Sequence, residues 1–173
     1  MKISLDWLKD YIKLQQTPEE IEHLLTSSGL EVESLDETDS IKGGLRGLVV
    51  GEVLEKEKHP DADRLSVTKV NVGKAIPLQI VCGAANVAKG QKVLVALNGV
   101  RLYPTFGEPF DIKNSKIRGQ VSEGMICSED EIGLGNSHEG IMVLDANAVP
   151  GTPAAEWFKI KQDHIFEIGL TPN

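Results

Sequence analysis

Apolar residues recur along this chain with two periods, and the change from one to the other divides it. Near the N-terminus the spacing is helical. Ile3, Trp7, Leu8, Tyr11 and Ile12 return every three or four positions, which predicts a helix from Ile3 to Ile12 with Ser4 as its N-cap. A second helix has sharper ends: Thr17 caps it, Pro18 fills the first turn, and Glu20 stands three residues on as a capping-box partner. Ile21, Leu24 and Leu25 form its buried stripe, and Gly29 supplies a left-handed stop. Leu30–Leu35 then alternates apolar with polar, as a half-buried strand does. Two helices and one strand bury too little to stand alone, so this arm must dock against something else.

The polar, glycine-bearing stretch from Asp36 to Gly47 reads as a boundary, and beyond it the period is that of strands. Leu48–Leu54, Leu65–Val72, Ile76–Cys82, Lys92–Leu97, Gly124–Ser128 and Ile141–Leu144 are short apolar or alternating runs separated by turn residues. They predict a small closed barrel or sandwich. Gly83–Ala88 is a small-residue break with room for one helical turn. Pro150–Pro153 ends this texture, Thr152 or Pro153 opens a short helix through Phe158, and His164–Ile168 reads as a strand. The chain stops at Gly169–Asn173 in mid-turn, so we expect a piece of a longer protein whose last strand rejoins the N-terminal arm. The expected class is α+β: a barrel over residues 40–150, inserted into a small discontinuous domain made from residues 1–39 and 151–173.

Composition narrows the classes. With 40% hydrophobic and 25% charged residues, 173 residues make a globular protein of one large or two small domains. No apolar run approaches about eighteen residues, and the start lacks a basic segment followed by an apolar one, which argues against membrane insertion and secretion. Cys82 and Cys127 sit in apolar runs without CxxC spacing, as buried free thiols in a reducing cytoplasm do. The net charge of −8 speaks against nucleic acid when taken whole. Its distribution changes that. Residues 1–40 set three lysines against ten carboxylates, whereas residues 41–150 hold thirteen cations and thirteen anions. Within the neutral part, Lys113, Lys116 and Arg118 fall in six residues and lead directly into the apolar Gly124–Ser128 run. An exposed basic loop anchored by a strand suits a surface that grips phosphates; a plain solvated face has about even odds.

Other candidate chemistry is weaker. His59-Pro-Asp-Ala-Asp-Arg64 invites a metal reading, but beyond His59 it offers only oxygen ligands, and a turn with Asp61 and Asp63 capping backbone amides is favoured about four to one. His138 and Glu139 would complete such a site only by coincidence of folding. Gly83–Gly90 lacks the spacing and the Lys-Ser/Thr end of a phosphate loop, and Gly119–Gly124 carries its serine one place too far along for a nucleophile elbow. No serine or cysteine has an evident His–acid pair, so catalysis within this chain is not expected. Trp7 and Trp157 lie in helical patterns and are expected in the core. Tyr103 or Phe106 could stack on a base, but they fit equally well packed over the barrel end beside Phe110.

Four motifs in order are more specific. Val49-Val-Gly-Glu-Val53, Lys58-His-Pro-Asp-Ala-Asp63, Val81-Cys-Gly-Ala-Ala-Asn86 and Lys116-Ile-Arg-Gly-Gln-Val-Ser-Glu-Gly-Met125 together resemble the tRNA-binding OB-fold of several aminoacyl-tRNA synthetases and free tRNA-binding proteins. The opening Met1–Leu8 and closing Phe166–Asn173 narrow the resemblance to the β subunits of bacterial phenylalanine–tRNA ligases, and it spans essentially the whole chain. The resemblance implies an OB-fold barrel, an accessory tRNA-binding role, and a cytoplasmic α2β2 enzyme that attaches phenylalanine to tRNA(Phe) with ATP and magnesium. Partners would be tRNA(Phe) and the α subunit, with neither DNA nor a membrane. This stretch would hold no cofactor, metal or catalytic group. By motif, the RNA-facing residues are Lys58, Arg64, Asn86, Lys116, Arg118 and Ser122, with Gly119 and Gly124 shaping the loop. Lys113 joins them on charge alone. The alternative is a structural module for docking between subunits, with little RNA contact.

Overall fold

In the computed structural model, residues 1–170 are described; Thr171, Pro172 and Asn173 of the expected terminal turn lie outside them. The elements in chain order are β1 (Lys2–Ser4), α1 (Leu5–Tyr11), α2 (Pro18–Ser27), β2 (Val32–Asp39), β3 (Leu48–Lys58), β4 (Ser66–Asn71) and β5 (Leu78–Cys82). They continue with β6 (Lys92–Leu97), β7 (Arg101–Leu102), β8 (Phe110–Asp111), β9 (Ser115–Ile117) and β10 (Gln120–Ser122). The last are β11 (Gly124–Ile126), β12 (Val143–Leu144), α3 (Ala154–Trp157) and β13 (Gln162–Ile168). The chain divides into two compact units, one of Met1–Ser40 with Lys161–Asn173 and one of Ile41–Ile160.

The first unit is a three-stranded antiparallel sheet in the order β1-β13-β2, with α1 and α2 against it. Phe166 sits at its centre, paired with Ile3 on one side and Leu35 on the other, and is 0% exposed. Leu5, Ile21 and Ile168 complete the buried set. The capping box at Thr17 forms as the sequence dictates, with Thr17 and Glu20 each bonding the other's backbone amide. Two apolar stripes were misjudged. Helix α1 starts only at Leu5, so Leu5 and Leu8 turn inward, while Trp7 and Tyr11, 53% and 71% exposed, stack edge-on upon each other outside. In α2, Ile21 and Leu25 take the inner face at i and i+4, which leaves Leu24 outside.

Ser4 caps α1 through its Oγ, which accepts from the Trp7 amide and donates to the Asp163 carboxylate. Asp163 also accepts from the amides of Asp6 and His164. Burial on its own would raise this carboxyl, but those three hydrogen bonds outweigh it and hold Asp163 below the usual carboxylate range. A depressed folded-state pKa stabilises above the unfolded value, about 3.9, and the stabilisation vanishes as pH falls through the folded value. Urea midpoints for the first unit are therefore expected to drop as pH is lowered below about 4, and Asp163→Asn should remove that part of the pH dependence.

The second unit is built on an antiparallel path β11-β6-β3-β4-β5, with β12 also on β6. Its period-two pattern is clearest in β6, where Val93 and Val95 enter one buried cluster and Leu94 and Ala96 the other. Burying Val93, Leu94 and Val95 is worth roughly 1.5–3 kcal/mol each, which makes β6 the spine of the unit. The path closes into a barrel where β5 meets the β10–β11 segment. The Glu123 amide donates to Gln79 O, the Gln79 amide to the Glu123 carboxylate, and the Val81 amide to Ser122 Oγ. Gly83–Ala88 forms turns and no helix. Trp157 packs against the core as expected. Tyr103 is half-buried with the Lys42 ammonium over its ring, and Phe106 is exposed. No helix among the described residues is long and apolar enough to cross a membrane.

Candidate nucleic-acid interface

Strand β3 pairs with β4 through a bulge between Val53 and Glu55, and from Glu55 to Lys58 its side chains are exposed. The bend at Pro60 follows. His59 is 2% exposed, and both its ring nitrogens are used: Nδ1 accepts from the Asp61 amide at 3.1 Å, and Nε2 lies 3.0 Å from Ile117 O. The turn reading of this segment is correct with one revision, because the imidazole rather than an aspartate caps the backbone. Asp63 instead pairs with Lys58 at 2.8 Å, both ends largely exposed. Among the described residues no group of three or more His, Cys, Asp and Glu side chains is placed to hold a metal.

Two grooves flank Gly83–Ala85. One, of about 500 Å³, is lined by Lys56, Lys58 and Arg64 together with Glu57 and Asp63. The other, of about 810 Å³, is lined by Lys113, Ser115, Ile117 and the start of β11, and also by Asp111, Glu131, His138 and Glu139. Gly83, Ala84 and Ala85 line both, so the two grooves adjoin as a trough crossed by a stretch that carries almost no side chain. A floor of that kind lets a backbone or a flat ring approach closely. This small-residue floor was missed in the sequence, where the segment stood out only as a break.

The loop after Lys113 is a hairpin. Strands β9 and β10 pair with Ile117 opposite Gln120 and Lys116 opposite Val121, leaving a two-residue turn of Arg118 and Gly119. Both have positive φ, 45° and 89°, the signature of a type I′ turn. Gly119 accepts that conformation freely. Arg118 does not, yet it stands where asparagine or glycine is usual. Lys116 shares the outward face with exposed Val121. Lys113, Lys116 and Arg64 are exposed and, among the described residues, have no ion pair or side-chain hydrogen bond. Arg118 reaches only the Asp61 carbonyl, at a long 3.4 Å. Arg64 and Lys113 line the grooves, Lys116 and Arg118 stand on the adjoining hairpin, and all four are thus free to meet phosphates.

Two of the motif residues serve the scaffold. Ser122 is 3% exposed and spends its hydroxyl on the Val81 amide and Gly124 O, so it fastens the barrel seam and is no surface contact. Asn86 clamps both the amide and the carbonyl of Ile141 with its side chain. Gly124 is required for space: a Cβ there would come within 2.7 Å of Ala96 O.

Burial pushes the thiols of Cys82 and Cys127 upward, and both are inert as free buried sulfurs. Ser128 Oγ donates to Asp130, and His138 Nδ1 faces the same carboxylate at 2.8 Å. Burial would raise Asp130, but those hydrogen bonds prevail and hold it low. The serine thus points at the acid and away from the imidazole, the reverse of an activated nucleophile.

Residues 48–153 match the model of the family described as a putative tRNA-binding domain, well over half of the chain. The chain belongs to that family. Along its full length this tRNA-binding chain is also 56% identical to the phenylalanine–tRNA ligase β subunit of Bacteroides thetaiotaomicron and 53% identical to that of Porphyromonas gingivalis. In each case it spans 21% of the relative's length. Among solved structures, the C-terminal domain of Plasmodium vivax p43 is 28% identical over 60% of this chain and 56% of that one, with a TM-score of 0.43.

In this tRNA-binding domain the strained position of Arg118 is a separable property. Left-handed backbone costs a non-glycine residue about 1–2 kcal/mol, and asparagine less. Arg118→Asn is therefore expected to raise the thermal stability of the second unit by about 0.5–1 kcal/mol while lowering affinity for RNA. Calorimetry and a binding titration on the same variant check both halves.

Proposed function

We propose that this chain is an accessory tRNA-binding region of a phenylalanine–tRNA ligase β subunit. Its second unit lays tRNA along the trough edge formed by Lys58, Arg64, Lys113, Lys116 and Arg118. The observation that carries this reading is the set of exposed cations near Gly83–Ala85, all but Lys58 without an ion pair among the described residues, in a chain whose net charge is −8. Full-length alignment with ligase β subunits supplies the biological setting. The enzyme so inferred is a cytoplasmic α2β2 assembly with the α subunit as partner. It joins phenylalanine to tRNA(Phe) with ATP and magnesium, outside this region. Here the chain contributes affinity and orientation, with no bond made or broken.

Fluorescence titration of the 173-residue chain with tRNA(Phe) tests the reading. Three or four neutralised phosphates should give a log K against log salt slope of roughly −2 to −3. Binding with no salt dependence, or none at low salt, would contradict it.

A further inference from the structure

The hairpin that carries Lys116 and Arg118 is not held equally on its two sides. Strand β10 is fastened to β5: Gln79 Nε2 donates to Val121 O at 3.0 Å, the Val81 amide donates to Ser122 Oγ, and Glu123 exchanges two hydrogen bonds with the Gln79 backbone. Strand β9 pairs only with β10. At the turn two side-chain contacts tether it to the rest of the unit: the imidazole of His59, 58 positions away, on Ile117 O at 3.0 Å, and Arg118 on Asp61 O at a long 3.4 Å. We propose that His59 is a positioning residue, a latch that holds the Arg118–Gly119 turn and the Lys58–Arg64 turn in one cationic edge.

The geometry dictates the form of the latch. An amide N–H, that of Asp61, points at Nδ1, so Nδ1 must carry a lone pair and the proton must sit on Nε2. Nε2 then donates to Ile117 O, the residue just before Arg118. The same imidazole thereby joins two loops. Its backbone amide, bonded to Leu65 O at 3.0 Å, closes the Lys58–Leu65 turn, and its ring closes the hairpin onto that turn. Arg118 adds a weak second strut to Asp61 O. A residue that is 2% exposed cannot itself touch RNA, so any effect of His59 on binding must pass through the cations it places. The inference rests on the reading of this edge as the RNA interface.

Two experiments test it. Nitrogen NMR of the 173-residue chain without RNA reads the His59 tautomer directly; the Nε2-protonated neutral form is expected, and the Nδ1-protonated form would overturn the latch. The second is a double-mutant cycle in tRNA affinity. His59→Ala should weaken binding between roughly fivefold and 25-fold, the worth of one to two phosphate contacts at about 0.1 M salt. In a Lys116→Ala/Arg118→Ala background the loss should shrink to what His59 does for the Lys58–Arg64 turn alone. His59→Gln, whose amide can still donate to Ile117 O, should recover most of the loss. Equal losses in both backgrounds would overturn the latch while leaving the RNA interface standing. No loss from Lys116→Ala/Arg118→Ala itself would remove the interface and the latch's role in binding together. Where His59→Ala loosens the fold, hydrogen exchange decides: faster exchange confined to the hairpin amides supports the latch, and a uniform rise over the whole second unit overturns it.

Discussion

Replacing Lys116 and Arg118 together by alanine is expected to weaken tRNA binding roughly 25-fold at 0.1 M salt, since each phosphate contact contributes about 0.7 to the salt slope. The slope itself should flatten to about −1. Both side chains lie on a hairpin, Lys116 on its outward face and Arg118 at its turn, and neither takes part in an ion pair. Removing them therefore subtracts charge without unpicking the barrel. Lys58→Ala should do less, because Lys58 already shares its charge with Asp63 in an exposed pair of the kind worth under about 1 kcal/mol. Unchanged affinity and slope in the double variant would place the RNA elsewhere.

Phe166→Ala is expected to have the largest effect on stability, about 3–5 kcal/mol. The ring is fully buried, its backbone is paired on both sides, and only Leu5, Ile21 and Ile168 share the fully buried set with it. So small a cluster has no larger side chain to close over the cavity. Hydrogen exchange of the β1, β2 and β13 amides should report loss of protection throughout that sheet. A cost below about 1 kcal/mol would mean that the helices, and not Phe166, hold the first unit.

Legibility in the sequence followed how local each signal was. Strand β6 matched its expected bounds because Val93–Leu97 is an uninterrupted apolar run, and α2 did so because its cap is written within four residues. Hairpins β7–β8 and β9–β10 were not read as strands. Their two- and three-residue segments hold one apolar residue each, too few to show a period, and are held by pairing. Trp7 misled because aromatic size suggests a core, whereas the start of α1 at Leu5 decides which face turns inward.

At the interface the cations were legible and their supports were not. Charge is a property of single residues, so Lys113, Lys116 and Arg118 stood out. Ser122, Asn86 and His59 act on partners 41, 55 and 58 positions away, which no local pattern shows. Motif resemblance drew Ser122 and Asn86 into the RNA-facing set. The buried Ser122 hydroxyl is spent on Val81 and Gly124, whereas Asn86 clamps Ile141 and stays exposed in the wall of the larger groove. Arg118's left-handed turn was equally silent, since asparagine, not arginine, usually announces it.

Amide chemical-shift mapping of the 173-residue chain during titration with tRNA(Phe) addresses the trough most directly. The perturbed amides should be those of Lys58–Arg64, Gly83–Ala85 and Lys113–Gly119, with α1 and α2 unmoved. Perturbations centred on the acidic helices, with the hairpin silent, would show that tRNA does not lie along this edge.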